Sequence, residues 1–591
     1  MTTNKIIWVL WFQGWETAPW LVRKCLASWQ VHNPGWDVRA LDARTLQVYI
    51  ELPDFDGRTI GPAALSDIIR IGLLREYGGV WVDATVVCHR PLDAWLPAVM
   101  DEGFFAFDRP APDRLLSSWF LAAAEDNAIV ARWHAATLDY WRRHQSADTY
   151  FWFHYLFGTI HDRHPEVRDS WDRVPRISAD GPHALQMAGL LLDNAAKIDA
   201  LLDDLPPVSK LTYRYDAAAE TPQSLVRRLL SSLPEPELPG TVVARTGHRP
   251  LASLKVSTQN LGDHIQILAA RRLTGRTAGL PEIYIDRDNE IASTPGLDTA
   301  RAPYAIVLNG WFKTNAAEWP PGPWLDPVYI GFHIRLFQCP RLIAEDALAH
   351  YRRHLPIGCR DTYTSRLLSS HGIETYVSHC LTLTFPRRES GPDVQTEVFV
   401  VSRDERIMDW LPPHLKDSRF ICHYVEETDF PLNVERAEAL LDLYRTRARL
   451  IVTSLLHCAL PAIAMGIPVV VFYPENSEAG HASDGERFSS LAELVPIYSA
   501  GQDDIDWAPA PVPVGRLKLD LITRFQAAIA RWNLPMRHQS PLLEALQDVS
   551  PPMDVDASPA EPAAPPPTGG RSAGLLDRFA AAAQRILRPG G

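Results

Sequence analysis

The sequence predicts an α/β protein in which short apolar strands alternate with helices. One observation is the helix-like spacing of Ile68, Ile69, Ile71, Leu73 and Leu74, which Gly78-Gly79 stops before the short β-prone run Val80-Trp81-Val82. A second is that the alternation returns later: Leu254 to Val256, Ala305 to Leu308, Val398 to Val401 and Leu450 to Val452 each lead into a polar turn, as in a parallel, doubly wound sheet split into two Rossmann-like lobes. The third is length, since 591 residues exceed one ordinary core and fit two substantial domains.

Taken in order, Lys5 to Trp11 opens the chain as a first strand. The helix containing Ser66 to Arg70 then delivers the chain into Val80-Trp81-Val82, and Asp83 falls at the carboxyl end of that strand, where α/β sheets place ligands. Asp67 and Arg70, three apart, share a helical face; they suit a sugar hydroxyl and a phosphate, or an ordinary surface ion pair. Asp83 suits a divalent cation, Mn²⁺ or Mg²⁺, because these ions accept one or two carboxylates plus phosphate oxygens and water; in isolation it reads equally as a turn cap. Trp119, Trp152, Phe153, His154 and Tyr155 make an aromatic-rich stretch suited to stacking on sugars, although core packing is the commoner job of such rings. His154 and His183 are candidates for acid/base work, against the more frequent structural role of a histidine in apolar surroundings.

Proline and charge in 232–240 place a boundary there, and from about Leu251 a second domain begins. Its Thr258 to Asp263 turn, before a helix expected from near His264, can offer backbone N–H groups to an anion. The expected divisions are 1–231, 251–535, a Pro/Ala-rich disordered linker over 550–572, and an amphipathic helix over 573–589 with Leu575, Leu576, Phe579, Ala583, Ile586 and Leu587 at helical spacing.

Composition excludes several classes. A net charge of -13 argues against general nucleic-acid binding. Seven cysteines without close pairs argue against a disulfide framework or a structural zinc site. No stretch has the apolar length of a membrane span, and the amino terminus lacks a secretory signal, so a cytoplasmic address is expected. The 573–589 helix is a candidate for peripheral contact with the inner face of the cytoplasmic membrane, and equally for docking on its own protein.

The blocks Lys5 to Trp11, Cys25, Ser28-Trp29, Asn33 to Trp36, Leu41-Asp42 and Ser66 to Thr85 together resemble the capsular polysaccharide synthesis family of glycosyltransferases, related to the D-x-D sugar-binding enzymes, over roughly the first 215 residues. The resemblance implies a GT-A-like nucleotide-sugar domain, with Trp11 near the base, Asp67, Arg70 and Gly79 on the donor side, and Asp83 as the metal-side acid. Thr85 stands where the pattern has its second acid. Asn260 to Asp263, Pro356 to Asp361 with Thr364, and Thr453 to His457 leading to Ala464 to Val470 are similar to the polysaccharide pyruvyl transferases, which implies a two-lobed, GT-B-like domain. For the transfer of a pyruvyl group from phosphoenolpyruvate to a glycan, Arg360 would supply a forked cation, His457 a proton or a phosphate grip, and Asn260 and Asp263 donor contacts. Leu455 replaces the family's arginine before Leu-His, with Arg447 and Arg449 as nearby cations.

The whole reads as a bifunctional enzyme of bacterial surface polysaccharide assembly, with a nucleotide-sugar donor and a glycan or lipid-linked oligosaccharide acceptor. Two glycosyltransferase domains without phosphoenolpyruvate, or a glycan-binding scaffold with an inactive second domain, fit the same residues.

Overall fold

The structure is a computed structural model that describes residues 3–53, 55, 57–238, 250–275, 283–293, 303–312, 319–335, 339–389, 395–473, 488–532 and 534. The expected linker over 550–572 and helix over 573–589 lie outside the described residues. The chain divides into two compact units, one up to Thr241 and one from Val242 to Arg537.

In the first unit, β1 (Ile6–Leu10), β2 (Asp37–Leu41) and β3 (Gly79–Asp83) are parallel, and β5 (Phe104–Ala111) and β6 (Arg114–Ala123) extend the sheet antiparallel in the order β2-β1-β3-β6-β5. Ile6, Ile7, Trp8 and Val9 on β1, and Val80, Trp81 and Val82 on β3, are buried on both faces, which is why these strands read as continuous apolar runs rather than alternating ones. Helix Pro62–Tyr77 feeds β3. Pro62 sits in its first turn, where a missing N–H costs nothing, and Gly78 ends it at φ +64°. A short antiparallel pair joins β4 (Val86–Cys88), just beyond the β3 turn in the chain, to the distant β7 (Val208–Lys210).

The second unit holds two parallel sheets. β8 (Leu251–Lys255), β9 (Ile283–Asp286), β10 (Tyr304–Trp311), β11 (Leu325–His333), β12 (Ile357–Cys359) and β13 (Thr375–Val377) take the order β13-β12-β11-β10-β8-β9. β14 (Glu397–Val401), β15 (Arg419–Ile421), β16 (Ala448–Thr453), β17 (Val469–Phe472) and β18 (Ile497–Tyr498) take the order β15-β14-β16-β17-β18. The expected parallel α/β plan with two lobes is thus what forms.

One local expectation shifts. The helix expected from near His264 begins at Leu261, because the Asn260 side chain accepts from Gly262 N–H at 3.1 Å and caps it earlier. The segment from Ser232, where the sequence places the domain boundary, is held against helix Trp20–His32 as far as Glu237. Lys24 Nζ donates to the Leu233 and Pro234 carbonyls, and Gln30 exchanges hydrogen bonds with the Glu237 backbone. All seven cysteines are free, and five are buried. No helix among the described residues is long and apolar enough to cross a membrane.

Candidate active site

In each of the three large sheets the order of the parallel strands doubles back at one point, and there the loops after two neighbouring strands part at the carboxyl edge, where such folds place ligands. In the first unit this point lies between β1 and β3. Leu10 and Asp83 are in register, so Trp11 and Asp83 flank the switch point. Asp67 and Arg70 reach it from the Pro62–Tyr77 helix.

Arg70 ties the group together. Its Nη1 lies 3.0 Å from Asp67 Oδ1 and donates to the Ser118 carbonyl at 3.0 Å, while Nη2 lies 3.3 Å from Asp83 Oδ1 and 3.2 Å from Ser66 Oγ. Its guanidinium stands 5.2 Å from the centre of the Trp81 ring, whose Nε1–H donates to Asp83 Oδ1 at 3.1 Å. Lys210 Nζ lies 2.8 Å from Asp83 Oδ2 and 2.8 Å from Thr85 Oγ1. Burial works against the Asp83 carboxylate, but Lys210 and then Arg70 hold its pKa at about 2. Burial pushes Asp67 up to about 7, opposed by Arg70 and reinforced by the Asp83 charge. Two carboxylates in one site are thereby set apart, one permanently charged and one poised near neutrality.

Trp11 packs edge-on to Tyr213, with ring centres 5.3 Å apart, and Arg214 lies over the Tyr213 ring at 5.9 Å. Tyr150, 71% exposed, stands within electrostatic reach of Asp83, Asp67 and Arg70. Most of the expected aromatic platform is core: Trp119 stacks on Phe107, Phe153 on Trp133, and Trp152 is buried. Burial, aided by Arg70 and Arg114, lowers the His154 pKa to about 3, so it is neutral at ordinary pH. His183 Nδ1 pairs with the Ala179 carbonyl one turn back along the chain.

Gly79 is placed elsewhere. It starts β3 at the amino edge, the opposite end from Asp83, with φ +96°, and a methyl there would come within 2.7 Å of the Ile6 carbonyl oxygen. Its constraint is chain path, not donor contact. The residues sequence reasoning missed are Lys210 and Tyr150. Lys210 reaches Asp83 across 127 residues of chain, a pairing that no local pattern announces.

The expected divalent cation meets a crowded donor set. Both Asp83 oxygens and the Thr85 hydroxyl are already engaged, and among the described residues no group of three or more His, Cys, Asp or Glu side chains gathers in ligand geometry. A divalent ion would have to displace Lys210; as they stand, these oxygens fit an ammonium.

In the second unit the switch points fall between β8 and β10 and between β14 and β16. The Asn260 to Asp263 turn follows β8, and Ser454 to His457 follow β16. The two meet: a methyl on Gly262 would lie 3.1 Å from the His457 Cβ. Asp263 is buried against Arg287 at 3.4 Å and accepts from Thr258 at 3.2 Å. Arg287 and Arg335 both lie over the Trp311 ring, at 4.9 and 5.3 Å. Arg360, at the end of β12, is 2% exposed, with Nε 3.8 Å from Asp361 Oδ2. Burial opposes the Asp361 charge, but His333, 2.6 Å away, and Arg360 hold its pKa below the ordinary carboxylate value. Arg447 pairs with Glu397 at 2.9 Å at the amino edge of the β14–β16 sheet, and Arg449 is exposed at the same edge. Neither replaces the arginine missing at Leu455, which lies at the carboxyl edge.

The family model of the capsular polysaccharide synthesis protein matches residues 1–229, and that of polysaccharide pyruvyl transferase matches residues 260–476. Both halves therefore match transferase families. The O-glycosyltransferase braB of Annulohypoxylon truncatum is 28% identical over 156 residues, which are 22% of this chain and 37% of that protein. The O-glycosyltransferase PaGT of Phomopsis amygdali is 26% identical over 167 residues, 25% of this chain and 41% of that protein. The chain spans about two fifths of the length of the curated relatives it matches. These relatives are fungal, so the bacterial setting expected from the sequence has no counterpart among them. Among solved structures, the PaToxG glycosyltransferase is 15% identical, covering 38% of this chain and 87% of its own at a TM-score of 0.22. GlyE of Streptococcus pneumoniae TIGR4 is 8% identical, covering 89% of this chain and 100% of its own at 0.24. Likenesses at these scores carry no argument.

Proposed function

We propose that the first unit is a GT-A-like glycosyltransferase domain that moves a sugar from a nucleoside diphosphate donor to a glycan or lipid-linked oligosaccharide, in polysaccharide biosynthesis. The observation that carries this reading is the convergence of Asp67, Arg70 and Asp83 on one switch point, where buried Arg70 bridges buried Asp67 and half-buried Asp83. Cleavage of the sugar–phosphate bond leaves negative charge on the diphosphate, and pre-set cations in a partly dry crevice stabilise it without reorganising. Arg70 supplies such a cation, held in place by Asp83 and by Asp67 in its charged form. Tyr213, half-buried against the buried Trp11, offers aromatic surface for the base, and Tyr150 offers an exposed ring for a sugar face.

The second unit we read as a GT-B-like pyruvyl transferase fold whose ligand lies at its two switch points, with phosphoenolpyruvate as the donor. The cations of this unit that the reading assigns to its carboxylate and phosphate are Arg335, beside Trp311, and the buried, carboxylate-paired Arg287 and Arg360, with His457 beside the Asn260 turn. Leu455 weakens this half of the reading, because leucine cannot supply the charge an arginine would.

A panel of nucleoside diphosphate sugars, screened by thermal stabilisation and by nucleotide release, tests the first unit. Turnover by the full chain, abolished in Asp83→Ala, is the expected result. Undiminished turnover in the variant removes Asp83 from the site, and no binding or turnover across the panel leaves a glycan-binding scaffold. Incubation with phosphoenolpyruvate and glycans, read as a ketal mass increment, tests the second; its absence leaves a second glycosyltransferase or a silent lobe.

A further inference from the structure

We propose that Lys210 is the built-in cation of the donor site, its ammonium holding the place between Asp83 and Thr85 that a divalent ion would take between two acids, and binding the donor diphosphate there. The inference rests on the glycosyltransferase reading above and specifies how that site manages charge.

Backbone pairing, not the reach of a flexible stem, sets the position. Val86 of β4 stands opposite Lys210 of β7, and Leu211 N–H donates to the Thr85 carbonyl at 2.9 Å, so the lysine is pinned beside the Asp83-Ala84-Thr85 turn. Its Nζ then lies 2.8 Å from one oxygen of each flanking side chain. An ammonium has three N–H donors; two serve Asp83 and Thr85, and the third serves a phosphate oxygen. The Lys210 side chain is 19% exposed, enough for a ligand to reach it and little enough for its charge to be felt strongly.

Charge balance agrees with geometry. The two carboxylates Asp67 and Asp83 already face two fixed monocations, Arg70 and Lys210, which leaves no anionic charge of the protein to balance a dication. With threonine at position 85 a divalent ion loses half its anionic ligands, while an ammonium keeps two good acceptors. In the transfer step the bond from the anomeric carbon to the diphosphate oxygen breaks and its electron pair stays on the diphosphate. The acceptor oxygen bonds the same carbon, and its proton passes to solvent. Lys210 stays protonated throughout and acts by charge alone.

The test uses the full chain with UDP-, GDP- and ADP-linked hexoses, nucleotide release being followed in EDTA and in Mn²⁺, and UDP, GDP and ADP binding by calorimetry in EDTA. Wild-type turnover in EDTA is expected within about twofold of that in Mn²⁺. Lys210→Met should lower turnover about 100-fold and weaken nucleotide binding roughly 10-fold. The paired change Lys210→Ala with Thr85→Asp, which rebuilds two acids, should recover turnover only when Mn²⁺ is added. Melting temperatures of the variants separate lost charge from lost fold, and the wild-type comparison needs no variant. Turnover abolished by EDTA and restored by Mn²⁺ overturns the role of Lys210 while leaving the glycosyltransferase reading intact; no turnover or binding of any donor overturns both.

Discussion

Arg70 shows how one side chain decides whether a cluster of charges is a site or a surface pair. Its fork meets Asp67, Asp83, Ser66 and the Ser118 carbonyl at once, which a lysine's point charge cannot do. Arg70→Lys should therefore lower donor turnover roughly 10- to 100-fold, with the melting temperature falling as the buried Asp67 loses its partner; nucleotide release and thermal melts check both. Asp67, at about 7, adds a pH signature. On the proposed function, protonating it removes a negative charge beside the diphosphate while Asp83, Ser66 and the Ser118 carbonyl still hold Arg70, so KM for the donor should fall as pH drops through 7, and Asp67→Asn should flatten that dependence. The same group acts on stability with a definite sign. Its folded pKa lies above the unfolded value, so its contribution is fully present below about 4 and is lost as pH rises through 7.

At the scale of elements, the Pro62–Tyr77 helix and β3 work as a single delivery unit whose hinge is Gly78-Gly79. Both glycines have positive φ, and a methyl on Gly79 would press on the Ile6 carbonyl oxygen at 2.7 Å. Gly79→Ala should cost about 2 kcal/mol or more, read by denaturant unfolding. Any loss of donor turnover should then track the unfolded fraction, since Gly79 lies at the end of β3 opposite Asp83. The same dependence on a turn explains the earlier start of the Leu261–Leu273 helix. A side-chain cap outranks the apolar spacing that would have begun it later.

Across the whole molecule, buried histidines dominate the acid response. Burial lowers His89, His134, His354 and His423 to about 4, and His154 and His350 to about 3. Each takes a proton near 6.5 when unfolded but not when folded, so stability must fall as pH drops from 6.5 towards 4. The slope is about 1.4 kcal/mol per pH unit for each fully linked group. Melting temperatures should drop steeply between pH 6.5 and 5, before ordinary carboxylates titrate, and His134→Asn should lessen the slope; an unchanged melting temperature across that range would falsify the assignment of these rings as buried and neutral. Asp83, held at about 2, adds stability that is lost only below the unfolded carboxylate range.

Local sequence determined much of this protein. Continuous apolar runs specified strands buried on both faces, glycine pairs ended the helix that feeds β3, and Asp83 stood at a carboxyl edge because strand and turn residues are read over a few positions. Asp67 and Arg70 were legible together because helix geometry sets residues three apart side by side. Only the tertiary structure decided which strands are neighbours, where the order doubles back, that Gly79 lies at the amino edge opposite Asp83, and that Lys210 crosses 127 residues to meet Asp83. Pairing between distant strands follows from how faces pack and how register closes, and neither leaves a mark on the sequence around either partner.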